Sequence, residues 1–411
     1  MSQLNEDRLR KYASKSDHAS EKHMEDLLKI TNREISELYS SDDDFDPRDK
    51  DKGGFYHLFL HDESIFHSFT GYTSEEFDTL YSIVKVALQH QGRGRSSKFE
   101  SKEILIMLLF YLRRYPRFET IHSLFHVPES TFKGILKTYI PRLQEIVEQK
   151  FITEIAKKNE LEEDEDFKDC YYIVDATVQP IEIPKGSYES KKPYFSGKHG
   201  VYGLKSHTLF IMKSFIVHIR TGIKGGVHDK AVFDESLDDF KKKVISLHPD
   251  KVQKILGDKG YQDQTSDILV TPHKGNLFDL DDSKLRHNQN LGNKRVIIEN
   301  FFGRLKSRYQ ITKDTYRSDT SDYSSFFTIC CALVNYEIVL CGHPLRDSDS
   351  DYYKRLVTKM IKDAEQRKKL SSQKYKKYKK KRQSKFLQSL NKIDSDSDSD
   401  SLGSLSLGHS E

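Results

Sequence analysis

The sequence predicts an α/β protein built round one mixed sheet, preceded by an all-helical segment. Three observations carry this. From Asp169 onward, short apolar runs and amphipathic stretches alternate as strand, strand, strand, helix, strand, strand, helix. Before that point the apolar residues recur at helical spacing. Between them lies KKNELEEDEDFK (157–168), a charged connection that marks a domain boundary.

Residues 1–54 are polar and charge-rich, with 9 Lys/Arg against 13 Asp/Glu in the first 50. His23 to Leu38 has short amphipathic character, but the arm as a whole is expected to be disordered. Residues 55–150 are expected to be helical. Thr73, Ser74, Glu75 and Glu76 supply an N-cap and an acidic first turn. GRGRSSKF is a basic loop, and KEILIMLLFYLRRYP is an apolar helix stopped by Pro116.

A short helix, Phe118–Phe125, then gives way across HVPE to a second helix that buries Phe132, Ile135, Leu136 and Tyr139. Its other face carries Ser130, Thr131, Lys133, Gly134 and Lys137. Two short helices with a tight break are the helix-turn-helix layout; an ordinary helical bundle with a basic face is the competing reading. Residues 92–150 hold 11 Lys/Arg against 6 Asp/Glu, an excess that suits phosphate contacts through Thr131, Lys133 and Lys137.

In the second part, Cys170–Pro180 (CYYIVDATVQP) reads as a strand with one acid, Asp175, in its apolar run. An unpaired carboxylate there is costly to bury. Either Asp175 pairs with a cation or it sits where the strand opens onto a site. SHTLFIMK and SFIVHIRTG read as two strands joined by a tight turn. GGVHDKAVFDESLDDFKKKVISL reads as a helix with Val232, Leu237, Phe240 and Val244 inward, followed by a strand ending in a Gly-Asp-Lys-Gly turn, the short strand DILVTPHK, a polar loop, and the long helix KRVIIENFFGRLKSRYQ.

Asp258, in that turn, and Glu299, within VIIENFF, are also acids that local structure does not require. Three converging carboxylates repel one another unless a cation intervenes. Such hard oxygen donors suit Mg²⁺ or Mn²⁺, and two such ions roughly 3.5–4 Å apart serve phosphodiester cleavage. Arg295, Glu299, Gly303 and Lys306 share one helix face, where Arg295 and Lys306 are placed to meet DNA phosphate. Taken singly, Glu299 is also explained as an ion-pair partner of Arg295.

The blocks VDATVQPIEIP, YFSGKHGVYGLKSHT, GIKGGVHDKAVFDES, ILGDKGYQ and KRVIIENFFGRLKSRY occur in this order and resemble the DDE-type transposases of the PIF/Harbinger group and their bacterial insertion-sequence relatives. The resemblance covers about Asp169 to Tyr316. YLRRYPRFETIHSLFHVPESTFKGIL resembles the helix-turn-helix domain that precedes the catalytic domain in such proteins. The resemblance implies an RNase H-like catalytic domain over 169–345, joined by 151–168 to an all-α helix-turn-helix domain. It implies metal-dependent DNA strand cleavage and transfer with Asp175, Asp258 and Glu299 as catalytic acids and metal ligands, Asp229 as a further metal ligand, and His228 beside it in packing or support. It also implies DNA as partner, a separate Myb-like DNA-binding protein, and a homo-oligomer. Ala176 stands where relatives often have Gly, and the 41-residue spacing from Asp258 to Glu299 leaves no room for a large insertion domain. A host-adopted DNA-binding protein that no longer transposes is the alternative.

The remaining chain, 346–411, is expected to be a basic tail with an acidic terminus. Residues 354–393 hold 16 Lys/Arg against 2 Asp/Glu, and KYKKYKKKRQSK (374–385) reads as a nuclear or nucleic-acid arm. DSDSDSDS is expected to be disordered, with serines in phosphosite context. Four cysteines without a C-x-x-C pair argue against a zinc knuckle and fit a reducing compartment. A polar N-terminus and the lack of an 18-residue apolar run predict no leader and no membrane span. The expected location is the nucleus.

Overall fold

The computed structural model describes residues 63–89, 98–159, 161, 163–212, 215–247, 249, 254–261, 268–275, 280–343, 345, 376, 377 and 380. The N-terminal arm, the GRGRSS part (92–97) of the basic loop, and almost all of the tail lie outside the described residues.

Helices α1 (Glu63–Thr70), α2 (Ser74–Leu88), α3 (Ser101–Arg114), α4 (Phe118–Phe125) and α5 (Glu129–Val147) form the first part. Thr73 caps α2 as its sequence predicts: its hydroxyl accepts from the Glu76 amide, and Glu76 accepts in return from the Thr73 amide at 2.9 Å. Helix α3 is buried along nearly its whole length, so its continuous apolar run is a core helix. It ends at Tyr115, left-handed at φ 42°, one residue before Pro116. Helices α4 and α5 flank the break His126–Pro128. Phe132, Ile135 and Tyr139 are buried, whereas Ser130, Thr131, Lys133, Gly134 and Lys137 are exposed.

The expected connection over 151–168 is partly corrected. Helix α5 runs on through a π-helical stretch, Glu148–Glu154, and an α-turn, Ile155–Lys158. Phe151, Ile152, Ile155 and Ala156 are buried there, so this part is packed core rather than connection. Four apolar side chains within six residues outweigh the charges around them.

The mixed sheet comprises β1 (Cys170–Pro180), β2 (Phe195–Ser196), β3 (Val201–Ile211), β4 (Phe215–Lys224), β5 (Lys254–Leu256) and β6 (Leu269–Val270). Strand β1 pairs antiparallel with β3 and parallel with β5. Strand β3 also pairs antiparallel with β4 and, at its start, with β2; β5 pairs parallel with β6. Helix α6 (Asp229–Leu247) follows β4, and α7 (Asp282–Arg308) follows β6. Helix α7 starts well before the predicted KRVIIENFF: Asp281 caps it by accepting from the Lys284 amide at 2.9 Å. Its first turns, DSKLRHNQNLGNK, show too few apolar residues to give a period.

Helix α8 (Tyr323–Val339) is an element that periodicity does not reveal. It is apolar all round and buried from Phe326 to Glu337. A helix surrounded on every side carries no stripe. It joins the helical part and the sheet into one core. Asn335, fully buried, donates to the Phe151 and Ile216 carbonyls at 2.9 and 2.7 Å and accepts from the Ile216 amide at 3.0 Å. Glu337, equally buried, accepts from Arg308 and from the Tyr309 hydroxyl, each at 3.1 Å. Among the described residues no helix is long and apolar enough to cross a membrane.

Candidate active site

Asp175 lies midway along β1, and Asp258 lies just past the end of β5, its parallel neighbour in the sheet. Asp175 pairs in register with Thr208 of β3, and its side chain is 17% exposed. One carboxylate oxygen accepts from the Ala176 amide at 2.8 Å and the other meets the Arg295 guanidinium of α7 at 3.3 Å. Burial pushes the Asp175 carboxyl above its ordinary range, and the nearby charge of Asp258 adds to this; Arg295, the Ala176 amide and Lys198 oppose it. Of the two expectations for Asp175, the structure shows the pairing with a cation, Arg295.

Asp258 lies just after β5. The Gly260 amide donates to its carboxylate at 2.7 Å. A Cβ on Gly260 would come within 2.9 Å of that oxygen, so glycine is required for the close approach. Asp229 opens α6 and pairs with Lys205 of β3 at 2.5 Å, both side chains mostly buried. His228 is exposed, and its Nδ1 accepts from the Lys230 amide at 3.3 Å, capping the same helix start.

Beneath these acids sits Tyr261, fully buried. Its hydroxyl is pushed well above the ordinary range, first by burial and then by the charges of Asp175, Asp229 and Asp258. It hydrogen-bonds His207 Nε2 at 2.9 Å, and burial holds that imidazole neutral, down to about 3.

Glu299 is placed differently. It is exposed on α7, one helical turn beyond Arg295. Among the described residues, the group of three metal-ligating side chains within 4.8 Å of one another is Glu76, Cys341 and His343, away from these acids. There Glu76 already accepts from His343 at 2.9 Å and from the Thr73 amide, fastening α2 to the segment after α8. Neither Asp175, Asp258 and Glu299 nor Asp175, Asp229 and Asp258 form so tight a group. The donor set of Asp175, Asp258 and Asp229 is all carboxylate oxygen, which fits a hard divalent cation in chemistry. In this structure Arg295 and Lys205 neutralise two of its members.

Of the expected DNA contacts, Arg295 is engaged with Asp175, and Lys306 is half-buried on the same helix, its ammonium held below the ordinary range by burial. Gly303 is exposed and a Cβ there would meet nothing within 4 Å. Thr131 and Lys137 are exposed on α5; Lys133 pairs with Glu129 at 2.6 Å and lies over the Phe118 ring at 5.0 Å. Lys205, His207 and Tyr261 were not singled out by sequence reasoning. The available signal was a lysine and a histidine at i and i+2 inside an otherwise buried strand, the same kind of signal that marked Asp175.

Residues 174–335 match the family described as DDE superfamily endonuclease. The chain is also similar to a probable transposase for insertion sequence element IS702 from Microchaete diplosiphon, 26% identical over 282 residues, covering 67% of this chain and 95% of that protein. No solved structure matches.

Proposed function

We propose, from the premise that residues 174–335 are DDE superfamily endonuclease sequence, that this protein is a divalent-metal-dependent DNA transposase. It would cleave DNA at the ends of a mobile element and join the freed ends to target DNA. The observation that carries the reading is the placing of Asp175 midway along β1 and of Asp258 just past the end of β5, its parallel neighbour. The strand order β4-β3-β1-β5-β6, with β1 and β5 parallel, Asp175 midway along β1 and Asp258 just past β5, supports an RNase H-like arrangement.

Asp175, Asp258 and Glu299 would act as catalytic acids, with Asp229 as a further ligand. Mg²⁺ or Mn²⁺ held there supplies the Lewis acidity that phosphodiester hydrolysis and transesterification need. The chain's own part is to hold the carboxylates through the Gly260 and Ala176 amides and to keep neutral His207 and Tyr261 behind them. Arg295 and Lys306 would meet the phosphates of the cleaved strand. Exposed Thr131, Lys133 and Lys137 support a helix-turn-helix contact to flanking DNA. The basic run at 374–385 supports a nuclear location; a Myb-like partner and self-association belong to the same proposal.

The test is incubation of the purified chain with Mn²⁺ and DNA carrying the element's terminal repeats. Joined strands together with cut ends support transposition. Cut ends alone reduce the reading to a nuclease, and intact DNA rejects both.

A further inference from the structure

Next to Ala176, the residue after Asp175, lies a cavity of about 190 Å³ that has Asp229 in one wall and whose other lining residues have no role above in holding DNA. Ala176 and Val178 of β1 form one wall, the turn Ser196–His199 another, and Gly225 to Asp229 a third. The turn belongs to the block YFSGKHGVYGLKSHT. It closes the β2–β3 hairpin, with the His199 and Gly200 amides donating to the Ser196 carbonyl at 3.2 and 2.8 Å. The Gly197 and Lys198 amides donate to no protein acceptor among the described residues. The third wall presses on its neighbours: a Cβ on Gly225 would lie 2.8 Å from the Gly203 and Tyr194 carbonyls. Only glycine lets the chain pass there.

The lining decides the class of ligand. Lys198, His199 and Lys205 bring positive charge or donors; Asp229 brings the opposing carboxylate. Lys205 spends two of its three N–H bonds on Asp229 and on the Val227 carbonyl. Lys198 and His199 are exposed at the cavity's rim, and the His199 imidazole is held below its ordinary pKa first by desolvation and then by the charges of Lys198 and Lys306. No Phe or Tyr lines the cavity, so it lacks the ring on which a base would stack. Its volume holds about six waters at ~30 Å³ each, room for a phosphate with its sugar but not for a base pair.

We propose that this cavity is the subsite for the DNA phosphate next to the one cleaved, with Lys198 as its contact and the Gly197–Lys198 amides as further donors. The inference rests on the nuclease reading for the identity of the strand, and on the cavity alone for the phosphate. Lys198 and His199 are positioning residues: they fix the register of the strand over the acids. An amide pair beside a lysine suits a tetrahedral anion.

The test uses the full chain, a fluorescent 20-base-pair duplex and Ca²⁺ in place of Mn²⁺. Affinity is measured as salt is raised, and the slope of log K against log salt counts phosphate contacts. Lys198→Ala is expected to flatten the slope by about one contact, ~0.9, and Lys198→Arg to restore it. Lys102→Ala, on α3 and paired with Asp78, leaves the slope unchanged. In Mn²⁺, Lys198→Ala is expected to raise KM for nicking with little change in kcat. An unchanged slope in Lys198→Ala overturns the subsite even if the wild type nicks DNA normally. A flattened slope in a protein that does not nick sustains the phosphate subsite and rejects the nuclease reading.

Discussion

Arg295 occupies the carboxylate that a cation at Asp175 would need, and removing its charge is expected to strengthen cation binding. The two groups lie 3.3 Å apart with less than one-fifth of each side chain exposed. At an effective dielectric of ~20 a unit pair at that distance attracts by about 5 kcal/mol before desolvation is counted. A charge-assisted hydrogen bond retains about 1.5–3 kcal/mol of this as a net contribution. Freeing Asp175 in Arg295→Gln therefore strengthens Mn²⁺ binding by about tenfold, since ~1.4 kcal/mol is a factor of ten. One effect works the other way: without Arg295, burial and Asp258 raise the proton affinity of Asp175 further. Measurement at pH 8, far above the ordinary carboxylate range, keeps that competitor small. The assay is calorimetric titration of DNA-free protein with Mn²⁺, with Arg295→Lys as the charge-retaining control. Unchanged or weaker binding in Arg295→Gln would refute the idea that the guanidinium holds the site closed to cations.

Further outcomes follow from the same geometry. Because burial raises the Asp175 carboxyl, Mn²⁺ affinity should fall on acidification with a midpoint above the ordinary carboxylate value of about 3.9; a midpoint at or below it contradicts the assigned environment. His207 is kept neutral down to about 3, so the unfolded chain takes up a proton that the folded one refuses. Stability from this residue is full above about pH 6.5 and is lost as pH falls towards 3, by about 2 kcal/mol at pH 5, and His207→Gln should flatten the pH dependence of Tm. Asn335→Ala should cost about 2–4 kcal/mol, because three buried backbone groups lose their partner; a Tm within a degree of the wild type would show that the junction of α8, β4 and the π-helical stretch is not stitched there.

Much of this architecture was legible because local signals agreed with tertiary needs. The Thr73–Glu76 capping box, the Pro116 stop and the strand β1 each follow from their own residues. Asp175 was legible as an acid that an apolar strand has no reason to carry, and Asp258 through the glycine beside it. What stayed hidden depended on the environment. Helix α8 shows no period because Tyr323 to Glu337 is surrounded on almost every side. The packing of Phe151 and Ile155 was masked by neighbouring charges, which point outward. The ion pairs Asp175–Arg295 and Asp229–Lys205 link residues 120 and 24 positions apart, and no local pattern reports such partners. Glu299 is the sharpest case: it lies in an apolar-looking stretch, yet its side chain is exposed.

The central claim is that Asp175, midway along β1, and Asp258, just past β5, run a cation-dependent phosphodiester reaction. Its most direct test is nicking of supercoiled plasmid by the full chain in Mn²⁺, compared with Asp175→Ala and Asp258→Ala at matched thermal stability. The expected result is nicking by the wild type that stops when Mn²⁺ is chelated and falls at least a hundredfold in each variant. Nicking that persists in either variant, or proceeds without a divalent cation, would contradict it.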